Sequence, residues 1–276
     1  MSSEAALATR VETGKPAIEC LGIVKTYPGR NGGPGRVVLD HASFSVEEGE
    51  FVCILGPSGC GKSTFLNILS GLDRGFSGSA QVRGIDVGSP EMSNVRSAYI
   101  FQEARLLPWR TVAGNVEFVL KAAGYPSSEW AARIDHYLEM VGLLEFKGFY
   151  PGELSGGMQQ RASIARAFAI EPDVLYMDEP FSALDELSAR KLRGDLLSIW
   201  SQHKTTVVFV THNAFEATFM ADRILIMKRG PESTFRDEIS LDALARPRSA
   251  DDSAVFDMSR VVVQSLVSIV GDGPED

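Results

Sequence analysis

The sequence predicts an α/β fold in which helices cover the faces of a parallel β-sheet, and three observations support this prediction. Four short apolar runs, at residues 51–55, 174–177, 206–210 and 224–227, have the length and composition of strands buried on both faces. Segments with helical spacing of apolar residues separate the runs, which is the order that βα units produce. A glycine-rich segment joins the first run to a helical pattern at residues 62–70.

Size and composition narrow the class of protein. A chain of 276 residues with 44% hydrophobic content can bury one core with a smaller subdomain attached. The net charge of −9 provides no basic footprint, so we expect no nucleic-acid partner. Three cysteines argue against a disulfide framework and fit a reducing compartment. Neither a signal-peptide pattern nor a long apolar run is present, so we expect any membrane role to depend on a partner.

Further elements are predicted outside the four apolar runs. Polar and apolar residues alternate at residues 17–25 and 36–46, as in strands with one buried face, and the stretch between them is rich in glycine and proline. Residues 112–123 and 128–141 have helical spacing, with no strong strand pattern around them.

The chain is predicted to divide into three parts. Residues 1–16 form a flexible lead, residues 17–245 form the main domain with a helical insert at about 103–160, and residues 246–276 form a tail. The tail is predicted to contain an amphipathic helix, because its apolar residues fall on one side at helical spacing. These residues are Val255, Met258, Val262, Leu266 and Ile269.

Residues 56–64 read GPSGCGKST, which fits the phosphate-binding pattern G-x-x-x-x-G-K-[ST] between a strand and a helix. The glycines let backbone N–H groups turn toward phosphate oxygens, and the helix adds the positive end of its dipole. We expect Lys62 to reach the β- and γ-phosphates of ATP and Ser63 to ligate Mg²⁺. The alternative is a glycine-rich turn with a chance lysine. The residues predicted to bind nucleotide here are Gly56, Pro57, Ser58, Gly59, Cys60, Gly61, Lys62, Ser63 and Thr64.

Cys60 lies inside this loop, close to Lys62 and to a helix N-terminus. Such surroundings tend to lower the pKa of a thiol. The alternative is a small residue that fills space and has no chemical role.

The run VLYMDEP, residues 174–180, is an apolar strand that ends in two carboxylates. We expect Asp178 to hold Mg²⁺ through a water and Glu179 to act as the general base on the attacking water. Because neighbouring strand residues point to opposite faces, the two acids are predicted to have different roles. Without the phosphate loop, the same pair would indicate only a solvated strand end.

The run LSGGMQQR, residues 154–161, is the most discriminating segment. Ser155, Gly156 and Gly157 open a helix and present N–H groups and a hydroxyl suited to a γ-phosphate, although a Ser-Gly-Gly cap by itself is common. With the other motifs, it makes the chain resemble the ATP-binding-cassette (ABC) ATPases from residue 17 onward. The resemblance implies a P-loop NTPase (RecA-like) core, an N-terminal antiparallel β subdomain and an inserted α-helical subdomain. It also implies a head-to-tail homodimer that encloses two ATP molecules with Mg²⁺ and hydrolyses them.

Four further positions match the family one at a time. Tyr27 resembles the aromatic residue that stacks on adenine, and Gln102 resembles the glutamine that touches Mg²⁺ and the attacking water. Asp185 ends the run SALD, which resembles the loop that crosses the dimer interface, and His212 resembles the histidine that contacts the γ-phosphate. The chain departs from the family at Asn213, where an aspartate is usual.

The run RLLPWRTV, residues 105–112, and the Arg-Pro-Arg of residues 246–248 resemble the nitrate, sulfonate and taurine branch of bacterial importers. In this family the helical insert carries the contact with the membrane permease. Leu106, Leu107 and Trp109 therefore are predicted either to dock on that permease or to form the core of the insert.

The resemblance implies an ATP-hydrolysing subunit of a bacterial importer at the cytoplasmic side of the cell membrane. ATP-driven dimerisation would be coupled to transport of a small anionic solute through a separate permease, with a periplasmic solute-binding protein as an indirect partner. The alternatives are a soluble ABC ATPase that acts on ribosomes or DNA and, less in keeping with LSGGMQQR, a P-loop kinase or GTPase.

Overall fold

The computed structural model describes residues 15–29, 35–182, 184–228 and 235–271. The predicted flexible lead falls outside these residues except at its last two positions. The strands are β1 (Ile18–Tyr27), β2 (Arg36–Val46), β3 (Phe51–Leu55), β4 (Ser77–Val82), β5 (Ile85–Asp86), β6 (Ser97–Ile100), β7 (Val174–Asp178), β8 (Thr206–Thr211), β9 (Arg223–Met227) and β10 (Phe235–Ser240). The helices are α1 (Lys62–Leu69), α2 (Val112–Ala122), α3 (Ser127–Met140), α4 (Gly156–Phe168), α5 (Glu186–His203), α6 (Ala214–Met220) and α7 (Ser253–Gly271).

The larger sheet has six strands in the order β10-β9-β3-β8-β7-β6. Its strands run parallel except for β10, which pairs antiparallel with β9 at one edge. Every residue of β3, β8 and β9 is buried, which explains why these strands read as unbroken apolar runs. The predicted α/β fold is therefore confirmed.

Two strands of this sheet have no strong sequence signal. β6 has only four residues, and β10 reads FRDEIS with mostly exposed side chains. Edge strands are often short or charged, so neither the length nor the periodicity of these segments indicates a strand.

The second sheet is antiparallel, in the order β2-β1-β4-β5, and it includes both predicted half-buried strands. Helix α1 packs between the two sheets, where Phe65 joins a core with Ile23 and Leu39 from the small sheet and Ile54 from the large one. This packing fixes α1, and hence the segment before it, against two layers of strands.

Residues 103–155, all of which the structure describes, contain helices and 3-10 turns but no strand, as the sequence predicts. Helices α2 and α3 pack with α4 through Val116, Leu120 and Leu138, which are fully buried. The buried side chain of Asn115 holds the preceding turn, because its Oδ1 accepts from Leu107 N at 2.7 Å and its Nδ2 donates to three carbonyl groups.

The segment after β10 is attached to the C-terminal end of α6. Arg248 Nη1 donates to the carbonyl oxygens of Thr218 and Ala221, and Arg246 Nη2 donates to that of Met220. Helix α7 follows and buries Val255 and Val262. Among the helices that the structure describes, none is both long and apolar enough to cross a membrane.

Candidate nucleotide site

The phosphate loop lies between β3 and α1, where the parallel strands end. Its backbone needs glycine at particular positions: φ is +77° at Gly59 and +108° at Gly61, which is the N-cap of α1. A Cβ atom added at Gly56 would lie 2.6 Å from the carbonyl oxygen of Met227, so a side chain there would collide with β9. The sequence GPSGCGKST therefore has its glycines where the tight turn requires them.

A cleft of about 660 Å³ opens above this loop. It brings together residues from the phosphate loop, from the ends of β1 and β7, from the start of β2 and from the segment after β6. The lining residues are Tyr27, Pro28, Gly29, Arg36, Val38, Ser58, Gly59, Gly61, Lys62, Ser63, Thr64, Gln102 and Glu179. Arg36 and Val38 were not predicted from the sequence as site residues. Arg36 pairs directly with Tyr27 in the antiparallel register, so a predicted β1–β2 hairpin could have placed it beside the adenine-stacking candidate.

Lys62 is 5% exposed, and its ammonium group lies over the loop. Nζ donates to the carbonyl oxygens of Gly56 at 2.8 Å and Pro57 at 3.1 Å, and it lies 3.7 Å from Glu179 Oε1. The positive charge is therefore fixed between the loop backbone and the end of β7.

Asp178 and Ser63 meet on one side of the cleft. Ser63 Oγ donates to Asp178 Oδ1 at 2.9 Å, and the hydroxyl of Tyr99 lies 3.4 Å from Asp178 Oδ2. Burial raises the pKa of Asp178, and the neighbouring charge of Glu179 adds to the rise, while the bond from Ser63 opposes it. A hydroxyl and a carboxylate oxygen are hard ligands of the kind that Mg²⁺ prefers, so these residues fit that ion. Tyr99 was not predicted; on β6 it is in register with Tyr176, two residues before Asp178.

Glu179 points to a different set of groups. Its Oε2 lies 3.0 Å from His212 Nδ1, and its backbone adopts φ of +43°, with N donating to the carbonyl oxygen of Val210 at 3.0 Å. The two acids at the end of β7 thus have separate contacts, Asp178 with Ser63 and Glu179 with Lys62 and His212.

At Cys60, burial outweighs the surroundings in sequence that would lower the pKa of the thiol. The residue is 4% exposed, and burial raises the pKa of its thiol more than the charge of Lys62 lowers it. The side chain packs beside Gly56, where a Cβ atom would lie 2.9 Å from Cys60 Sγ. This geometry favours the space-filling alternative.

The remaining predicted residues lie outside the cleft. Ser155 caps α4 by accepting from Met158 N at 3.3 Å, and Ser155 and Gly156 are exposed while Gly157 is partly exposed. Asp185 is exposed and caps α5, accepting from Ser188 N at 3.0 Å, and hydrogen bonding from the Ser188 hydroxyl, together with this backbone bond, lowers the pKa of its carboxyl. Ala183, within the run SALD, lies outside the described residues. None of these groups lines the cleft that contains Lys62.

Comparison with known proteins agrees with the motifs. Residues 39–182 match the family model described as ABC transporter. The nitrate import ATP-binding protein NrtD of Synechococcus elongatus is 41% identical over 248 residues, covering 88% of this chain and 87% of that protein. The aliphatic sulfonates import ATP-binding protein SsuB of Bacillus cereus is 40% identical over 229 residues, covering 83% of this chain and 88% of that protein. The bicarbonate transport ATP-binding protein CmpD of a Synechocystis species is 43% identical over 232 residues, covering 83% of this chain and 80% of that protein.

A solved structure extends the likeness to the fold. The ATP-binding cassette MJ0796, seen as a dimer in a post-hydrolysis state bound to ADP and Pi, superposes with a TM-score of 0.74 at 32% identity. The match covers 82% of this chain and all of that one. With the family model and the relatives agreeing over most of its length, the chain belongs to the ABC transporter family, as an ATP-binding and ATP-hydrolysing cassette.

Proposed function

We propose that this chain is the ATPase subunit of an importer that moves a small anionic solute, of the nitrate, sulfonate or taurine type, through a separate membrane permease. The observation that carries the proposal is that Lys62, Ser63 and Glu179 line one cleft, with Asp178 bonded to Ser63, while the Ser155 segment is exposed elsewhere. Relatives at 40–43% identity are named for import of nitrate and sulfonates and for transport of bicarbonate, which supports an anionic cargo.

Nucleotide is proposed to bind in the cleft above the loop. Tyr27, 40% exposed at the end of β1, stacks on the adenine, and the N–H groups of residues 56–64 bind the phosphates. Lys62 exchanges the loop carbonyls for phosphate oxygens, which is a favourable exchange because those oxygens carry charge. Mg²⁺ would be held by Ser63, Gln102 and Asp178, and when bound it neutralises charge on the β- and γ-phosphates.

Glu179 is proposed to act as the general base, accepting a proton from the water that attacks the γ-phosphate. His212, 3.0 Å away, holds this carboxylate and reaches toward the same phosphate. Asn213, where the chain departs from the family, caps α6, since its Oδ1 accepts from Phe215 N and Glu216 N.

The second half of each site is proposed to come from a second copy of the chain. Ser155, Gly156 and Gly157 begin a helix whose N–H groups suit a γ-phosphate but do not line their own cleft. Asp185 ends the SALD run assigned to the dimer interface, and Leu187, in the first turn of α5, is 81% exposed beside it. A single chain is therefore expected to be a poor ATPase, and ATP is expected to bring two chains together.

The permease is proposed to dock on the helical insert around Trp109, which is 71% exposed. Leu106 instead packs against the core. Of the two alternatives for residues 105–112, core packing therefore applies to Leu106 and permease docking is proposed for Trp109. Phe118 and Phe149 are also exposed beside the same turn and extend the apolar surface. In this assembly the chain works at the cytoplasmic side of the membrane, and a periplasmic solute-binding protein delivers the cargo to the permease.

Affinity purification from detergent-solubilised membranes tests this function. A tagged chain is expected to recover a two-copy membrane permease, and solute-loaded binding protein is expected to stimulate ATP hydrolysis. Recovery of ribosomes without a permease would instead support the soluble non-transport ABC ATPase.

A further inference from the structure

A buried polar network lies directly behind the loop that carries His212. Arg193 of α5 donates through Nη1 to Glu216 Oε1 at 3.2 Å, and Thr211 Oγ1 donates to Glu216 Oε2 at 2.7 Å. Arg193 and Thr211 are 1% exposed and Glu216 is 8% exposed. Burying a charged pair is unfavourable unless its hydrogen bonds are satisfied, and apolar residues of the same size would often stabilise a core equally well. Stability therefore does not explain why charged residues occupy these buried positions.

The network reaches the backbone on both sides of His212. Thr211 is the last residue of β8, and while its hydroxyl donates to Glu216, the same oxygen accepts from Asn213 N at 3.1 Å. One hydroxyl thus ties the residues before and after His212 to a fixed carboxylate. The imidazole held between them lies 3.0 Å from Glu179 Oε2.

Arg193 keeps that carboxylate in place. Its second nitrogen, Nη2, donates to Glu186 Oε1 at 2.5 Å, so the planar guanidinium is fixed by two carboxylates at once. The rings of Phe181 and Phe215 flank it, each centroid 5.9 Å from Cζ. Glu216 consequently has little freedom to shift, and neither does the hydroxyl it binds.

We propose that Thr211 and Glu216, with Arg193 as the opposite charge, are positioning residues that hold the His212 imidazole against Glu179. The inference rests on the proposed roles of Glu179 and His212. None of the three residues lines the cleft, so they act through the backbone at His212. A misplacement of about 1 Å in a catalytic group can slow a reaction on the order of a hundredfold, so such support has kinetic consequences.

Two matched substitutions separate positioning from packing. Thr211→Val removes the hydroxyl that binds Glu216, with almost no change in shape. Thr218→Val removes a hydroxyl from a fully buried threonine of α6, where Oγ1 donates only to the helical carbonyl oxygen of Ala214 at 2.8 Å. Thr211→Ser keeps the hydroxyl and serves as the rescue.

Thr211→Val is expected to lower kcat for ATP hydrolysis about tenfold, the order of effect of one lost bond to a charged group, with KM for ATP unchanged. Thr218→Val and Thr211→Ser are expected to keep kcat within about twofold of the original chain. Glu216→Gln, which preserves the shape of the side chain, is also expected to lower kcat.

The histidine ring resonances in an NMR spectrum give a second readout. The chain has only four histidines, so His212→Ala assigns the His212 signals. Thr211→Val is expected to shift the His212 signals and leave the others in place, whereas Thr218→Val leaves all four unchanged. Equal loss of kcat in Thr211→Val and Thr218→Val, or a His212 resonance that does not move in Thr211→Val, would overturn the positioning role and leave the proposed function standing. Absence of ATP hydrolysis in the unmodified chain would refute this inference and the proposed function together.

Discussion

Replacing Glu179 with glutamine keeps the shape of the side chain and removes the carboxylate proposed to accept the proton. In the structure this carboxylate is 15% exposed, with Oε1 at 3.7 Å from Lys62 Nζ and Oε2 at 3.0 Å from His212 Nδ1. A glutamine oxygen can still accept a hydrogen bond from His212, so we expect the cleft to keep its form. The carboxylate also faces the position proposed for the γ-phosphate, so its loss removes a repulsion, and ATP affinity is expected to stay equal or rise.

The expected kinetic effect follows from the role of the base. A positioned general base contributes about 10²–10⁴-fold to a rate. This corresponds to about 2.7–5.4 kcal/mol of transition-state stabilisation, and Glu179→Gln is expected to lose that amount. Because binding persists while cleavage stops, ATP and Mg²⁺ are expected to trap the variant as a dimer.

Phosphate release at saturating ATP measures the rate, and size-exclusion chromatography with ATP and Mg²⁺ measures the trapped dimer. Glu139→Gln, which neutralises an exposed carboxylate on α3, is the matched control and is expected to hydrolyse ATP normally. Hydrolysis by Glu179→Gln at the rate of the original chain would refute the general-base assignment, whatever its dimerisation.

Three further outcomes are expected. Tyr99→Phe removes the hydroxyl 3.4 Å from Asp178 Oδ2 and is expected to raise the Mg²⁺ concentration needed for half-maximal ATPase activity about two- to fivefold; an unchanged Mg²⁺ curve would contradict this. Trp109→Ala is expected to leave the ATPase activity of the isolated chain intact and to abolish co-purification of the permease, and retention of the permease would locate the contact elsewhere. Asp73→Asn is expected to lower the free energy of unfolding by about 1–3 kcal/mol at pH 7, measured by urea denaturation, because Lys25 Nζ, 2.7 Å from Asp73 Oδ1, loses its charged partner. Partial burial tends to raise the pKa of Asp73, but the bonds from Lys25 outweigh it and lower the pKa. The stability that Asp73 contributes is therefore fully present above the ordinary carboxyl pKa and is lost as the pH falls through the lowered pKa. If Asp73→Asn remained equally destabilising in acid, the assignment would be contradicted.

The candidate site was predictable where a short segment carries its own geometry. The glycines of residues 56–64 and the two acids after residues 174–177 are local patterns, and the structure places both at the same edge of the sheet. Cys60 shows the limit of such local reasoning. Its neighbours in sequence tend to lower the pKa of a thiol, but burial in the folded chain raises the pKa of Cys60 instead.

Two other features depended on packing that no single segment encodes. Leu106 and Trp109 lie three positions apart in one apolar run, yet Leu106 packs on the core and Trp109 is exposed. The turn between them is held by Asn115, whose side chain is buried by the helices of the insert. Similarly, β6 and β10 form only because β7 and β9 offer them edges to pair with.

The sequence by itself determined the fold class, the phosphate loop and the family, because periodicity, glycine placement and motif spacing are properties of contiguous residues. Only the tertiary structure decided which groups meet. Ser63 binds Asp178 across 115 positions, and Glu179 meets His212 across 33. These contacts arise because parallel strands distant in sequence end at one edge of the sheet, and the side chains that follow them converge there. The buried Arg193–Glu216–Thr211 network behind His212 has the same origin, since its members belong to two helices and a strand that are brought together only by folding.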